Sequence, residues 1–175
     1  MSNYPKALIP AVALAAEYCN TLENARPDQT AETAAALLRL LPRIYITLSD
    51  IGGDEADQDG DDNGAVTATL KQEEYDAILS ATTALLGEFD MYLDTPEYDM
   101  QFSDTAVAVS LAEQLADIYQ HMADFAATVA QSSPDFFPDV LSELKYRFNS
   151  YLSNTVCSAL RAANYIYFNA SLTNE

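Results

Sequence analysis

The chain is 175 residues long, 49% apolar and 20% charged, with 27 acids against eight Lys and Arg for a formal charge of −19. That balance is globular, and a chain of this length can bury roughly 70% of its unfolded surface without disulfide or metal staples. The field of so acidic a chain repels phosphate backbones and anionic headgroups, and the scattered bases make no footprint, so nucleic acid and membrane surfaces are excluded as partners.

The first predicted helix runs from Pro5 to about Ala25. Its opening stretch, Ala7 to Ala16, is similar to a short signal-peptide core, yet Pro10 interrupts the run and one apolar face continues through Leu8, Val12, Ala15, Cys19 and Leu22. A segment that continues a helical face belongs to the fold. No run approaches the roughly 20 apolar residues of a membrane span.

A second helix is expected from about Asp28 to Ser49. Leu37, Leu38, Leu40, Leu41, Ile44, Tyr45 and Leu48 wrap around much of its circumference, which predicts a central helix, with Pro42 removing an amide donor inside it. Residues 50–62 hold seven carboxylates and three glycines and read as a solvated loop. Thr69 and Gln72 suggest a capping box opening a third helix, which Gly87 closes. Six more acids with interleaved aromatics make 88–104 an irregular segment.

The fourth helix is the clearest. From about Asp104 to Gln131, Val107, Leu111, Leu115, Ile118, Met122, Phe125 and Val129 recur at spacings of three and four, and the helix is expected to pack on the first two. Ser132 to Pro138 punctuate the chain before a last helical region, Phe137 to Phe168, with a break near Ser150 to Asn154. The expected fold is all-α, a bundle of five or six helices forming a single domain over residues 1–175, with no strand pattern. Cys19 and Cys157 both sit in apolar helical patterns and read as buried free thiols, which suits a reducing, cytoplasmic location.

Four segments together resemble a bacterial, Bacteroides-type family known as domain of unknown function 5063. They are Ala16-Glu17-Tyr18-Cys19 with Leu22-Glu23, Leu40-Leu41-Pro42 with Tyr45, Ser110-Leu111-Ala112-Glu113 running into Leu115 to Gln120, and Ala159-Leu160-Arg161-Ala162. The resemblance implies a helical cytosolic protein with no established activity and no catalytic residues to carry over. It also implies a tryptophan and histidines near the start of the last helix, where this chain reads Tyr151-Leu152-Ser153-Asn154-Thr155.

Chemistry-bearing patterns are few. A single histidine, His121, excludes carboxylate-bridged dimetal bundles and zincins. Glu113, Asp117, His121 and Asp124 line one side of the fourth helix and read first as a solvated polar face, or as a site if another element covers them. In the second case Asp117, Tyr119 and His121 would work with an arginine from the second helix, Arg43. Asp59, Asp61 and Asn63 with Gly64 fit part of a calcium loop, but Leu70 stands where a bidentate Glu belongs, so an ordinary acidic loop is favoured and no metal or cofactor is expected. Tyr146, Tyr165 and Tyr167 suit either core packing or a partner groove. The leading functional reading is a non-enzymatic interaction or regulatory module with an acidic surface for a basic protein partner. The alternative is a small-molecule binder or enzyme on the polar side of the fourth helix.

Overall fold

The computed structural model describes residues 4–52, 60–96, 100 and 102–170. Six α-helical segments dominate: α1 (Leu8–Glu23), α2 (Thr30–Ser49), α3 (Gln72–Leu86), α4 (Leu111–Gln131), α5 (Phe137–Arg147) and α6 (Ser153–Asn169). Helices α1, α2, α6 and α4 form a closed ring of neighbours, with α3 laid on the outer side of α4 and α5 against α4 and α2. The all-helical bundle is therefore the architecture. The neighbours of α4 are chiefly α1, α3 and α6, so the expectation that it packs on both α1 and α2 holds only for α1.

Helix α4 is the central element. Ten of its residues are buried, including Leu111, Leu115, Ile118, Met122 and Phe125. Each such side chain contributes about 1.5–3 kcal/mol by leaving water. Helix α2, expected to be central, is not: it buries Leu37, Leu40, Leu41, Ile44 and Leu48 along one face, while Tyr45 and Ile46 are exposed. Of the residues that suggested all-round burial, Leu38 is half-buried against the core and Tyr45 lies on the outside, where it meets Phe148 edge to face at 5.2 Å. The chain stays helical through Pro42. In α1, Leu8, Ala11, Leu14, Ala15, Tyr18 and Leu22 enter the core. Tyr18 is fully buried, and its hydroxyl donates to the carbonyl of Leu115 at 2.9 Å.

A short antiparallel sheet corrects the expectation of no strands. Strand β1 (Met91–Asp94) pairs with β2 (Val107–Ser110), Met91 opposite Ser110 and Asp94 opposite Val107. The helix expected from Asp104 thus begins at Leu111. Its stop signal is local: Ser110 caps the helix by accepting from the amide of Glu113, and buried Asp90 accepts from Ser110 Oγ at 2.9 Å and from the Ala112 amide at 2.7 Å. A carboxylate at the positive end of a helix is favourable both as a cap and against the macrodipole.

The last helical region contains the expected break, as a π-helical turn over Phe148–Leu152 between α5 and α6. The thiols depart from expectation, since Cys19 is half-buried and Cys157 is exposed. Tyr165 and Tyr167 are exposed as well, which removes core packing as their account. Gly87 does close α3, with φ of 54°. The start of α3 differs: the helix begins at Gln72, and Glu74 rather than Gln72 accepts from the amide of Lys71.

Candidate functional site

The residues singled out on α4 face three different neighbours. Glu113 is exposed in the first turn. Asp117, exposed, accepts from the Tyr75 hydroxyl of α3 at 2.8 Å. Tyr119 is buried on the other side and donates to Glu23 of α1 at 2.8 Å. Arg43 lies apart on the outer side of α2, paired with Glu17 at 2.9 Å, both well exposed. Asp117, Tyr119, His121 and Arg43 therefore share no common centre, and the small-molecule or catalytic arrangement built on them has no geometric support.

The expectation of a solvated face fails further along the same helix. Asp124 is 2% exposed. The segment 60–70 runs across α4 and α5 as a strap, and polar side chains clip it down. Asp124 accepts from the amides of Thr69 and Leu70 at 2.7 and 2.8 Å and from Thr69 Oγ1 at 3.0 Å. Thr128 accepts from the Thr67 amide at 3.0 Å, and Glu143, 1% exposed, accepts from the Val66 amide at 2.7 Å. A buried carboxylate is tolerable because several donors converge on it. At Gly60, φ is +72° and an added Cβ would stand 2.3 Å from the backbone nitrogen of Tyr146, so only glycine lets the strap lie on α5.

His121 sits beside this strap. Tyr151, carried by the π-helical turn, contacts its Nε2, the two rings meeting at 5.2 Å, and Arg147 Nη1 lies 3.4 Å from Nδ1. Arg147 also pairs with Glu143 and reaches the Val66 carbonyl. Guanidinium can only donate, so Nδ1 is the acceptor and Nε2 carries the proton, donating to the Tyr151 oxygen. Burial, reinforced by the Arg147 charge and opposed by Asp124, lowers the His121 pKa from 6.5 to about 4. The imidazole is neutral at pH 7 with both nitrogens engaged, and burial raises the Tyr151 pKa. This arrangement holds no free base and no activated nucleophile. It latches α4 to α5 and the turn.

Other reactive groups are equally quiet. Burial, with Glu23 nearby, pushes the Cys19 thiol up to about 12. Tyr75 and Tyr119 are likewise raised, first by burial and then by the carboxylates they donate to. In the calcium-like stretch, Asp59 lies outside the described residues. Asn63 donates to the Asp139 carbonyl at 3.1 Å, and its side-chain oxygen accepts from Ala65 at 2.9 Å. That oxygen is engaged in a local turn, and the Leu70 amide is held by Asp124. Among the described residues, no group of three or more His, Cys, Asp or Glu side chains could hold a metal ion, and no helix is long and apolar enough to cross a membrane.

Glu143, Arg147, Tyr151 and Asp90 carry interactions that sequence reasoning did not find. The four-residue steps from Glu143 to Arg147 to Tyr151 were the available signal, since that spacing places them on one side of a helix. A cleft of about 570 Å³ lies elsewhere, between β1 and α6, lined by Phe89, Met91, Leu93, Arg161, Tyr165 and Ile166 among others.

No curated protein matches the chain. Its fold is similar to that of a crystal structure, protein BF1032 from Bacteroides fragilis, with a TM-score of 0.75 and 21% identity over 97% of this chain and 100% of that one. The family model described as domain of unknown function, DUF5063, matches residues 2–169. With that span the chain belongs to the DUF5063 family.

Proposed function

We propose that the chain is a non-enzymatic protein-interaction module of the bacterial cytoplasm, one helical domain over residues 1–175, that presents an acidic helical face to a basic partner protein. One observation carries the reading. Glu23, Glu74, Asp76, Glu113 and Asp117 are all exposed on α1, α3 and α4, and none of these three helices contains a lysine or arginine. They are close enough that Tyr75 senses Asp117, Glu113 and Asp76, while Tyr119 senses Glu23 and Glu74. The donors that meet this face are the hydroxyls of Tyr75 and Tyr119, the Lys71 backbone amide and the Gln72 side-chain amide, all neutral groups, so its charge is left for a partner to neutralise. Such a field steers a cationic protein and repels nucleic acid and anionic membranes. Two free cysteines, one of them exposed, suit a reducing compartment.

Affinity capture from the native bacterium tests the proposal when the wild type is compared with a Glu74→Lys, Glu113→Lys, Asp117→Lys variant. Basic proteins held by the wild type should be lost from the variant and released by raised salt. Retention of the same proteins by the variant would overturn the reading.

A further inference from the structure

The hairpin offers a second and more specific surface. In an antiparallel pair, residues alternate between those that exchange backbone hydrogen bonds and those whose amides and carbonyls point away. The Leu111 amide donates to the Asp90 carbonyl at 2.9 Å, and the register continues from Met91 opposite Ser110. The exchanging residues of β1 are therefore Tyr92 and Asp94. Met91 and Leu93 direct their backbone N–H and C=O groups to the outer edge, toward α6. One of these, the Leu93 carbonyl, receives Arg161 at a long 3.4 Å, while Arg161 has a closer partner in Asp94 at 2.6 Å.

Along that edge runs the cleft of about 570 Å³, whose walls include Phe89, Ala162, Tyr165 and Ile166. Met91, Leu93 and Tyr165 are 57%, 66% and 61% exposed. An open strand edge beside an apolar trough is the arrangement that accepts an added strand, with backbone bonds supplying affinity and alternate side chains filling the trough. The charge selects the strand. Asp94 neutralises Arg161, Glu88 remains in the cleft wall, and the whole chain carries −19. A second copy of this chain would bring the same charge to the edge, whereas a basic segment would relieve it.

We propose that β1 and α6 form a docking groove for an extended segment of a partner protein, apolar at alternate positions and lysine- or arginine-rich between them, added antiparallel to β1. The β1 edge is about 13 Å long, so the segment pairs over about four residues. The proposal rests on the reading of a basic partner and adds a second surface, distinct from the acidic face of α1, α3 and α4, on which an extended segment of that partner binds.

The test uses the full chain, isotopically labelled, and short synthetic peptides alternating valine with lysine, valine with glutamate, or carrying the first composition scrambled. The valine–lysine peptide should bind and slow amide exchange at Met91 and Leu93. Leu93→Pro deletes the outward amide without touching the β1–β2 ladder and should weaken binding at least tenfold, and Tyr165→Lys should weaken it independently by blocking the trough with charge. Binding that leaves Met91 and Leu93 unchanged, or that survives both variants, overturns the groove. If it then perturbs Glu113 and Asp117 instead, the acidic-face reading stands without the groove. Equal binding of the glutamate peptide at the edge would retain strand addition and defeat the basic partner. Protection of both amides before any peptide is added overturns the proposal, and size-exclusion chromatography then shows whether a second copy is responsible.

Discussion

Two sets of carboxylates in this protein do opposite things. Asp90, Asp124 and Glu143 are buried, and each accepts from a backbone amide of a chain segment distant in sequence, Asp124 from two. Glu113 and Asp117, on the same helix as Asp124, stand in water. Asp124 follows Asp117 by seven residues, close to two helical turns, so the two lie on nearly the same side of α4. What separates them is the strap of residues 60–70, which passes over the end of the helix that holds Asp124 and leaves the end that holds Asp117 open. A carboxylate becomes part of the framework when amides converge on it. Without them it shapes only the field.

The sharpest way to break this contrast is Asp124→Ala. Two amides and a hydroxyl would lose a charged acceptor in a covered place, and we expect a loss of about 3 kcal/mol in urea unfolding. A loss below about 1 kcal/mol would show that the strap is held by Glu143 and Thr128 without it.

A smaller, pH-dependent effect is expected at His121. Its folded pKa of about 4 lies below the ordinary 6.5, so between these values the unfolded chain binds a proton that the folded chain refuses. The stabilising effect is fully present above about pH 6.5 and is lost as the pH falls toward 4. Unfolding of His121→Gln followed across that window should show a flatter dependence than the wild type. Parallel curves would mean that the latch with Tyr151 and Arg147 is open in solution.

Smallest of all are the open carboxylates. Glu113→Gln and Asp117→Asn should each change stability by less than about 0.5 kcal/mol, even though Asp117 accepts from Tyr75. A larger loss at Asp117 would place it with Asp124 and erase the contrast.

The helices were legible because their stripes are long. Leu111 to Phe125 repeats over enough turns to fix the element and its buried face. The start of α4 was not, since Val107 and Val109 extend the apolar series whether read as a helix or as a strand, and four strand residues are too few to show alternation. The site was legible only as composition. A helical wheel of α4 places Asp124 beside Asp117 and cannot say which is covered, because the covering residues, Thr69 and Leu70, lie 55 and 54 positions away. Arg43 failed for a similar reason: a helix reports its own faces, and the partner of Arg43 proved to be Glu17 across the α1–α2 surface.

The π-helical turn at Phe148–Leu152 makes the length of the last helical region as constrained as its composition. Each residue advances a helix by about 100°, so removing one residue from the turn would let α5 run into α6 as regular helix and rotate everything beyond it by that amount. Val156, Ala159, Ala163 and Ile166, now buried, would swing away from the core, and Tyr165 would turn out of the cleft beside β1. A single-residue deletion here is therefore not tolerable, and the number of residues in the turn is fixed by what packs beyond it.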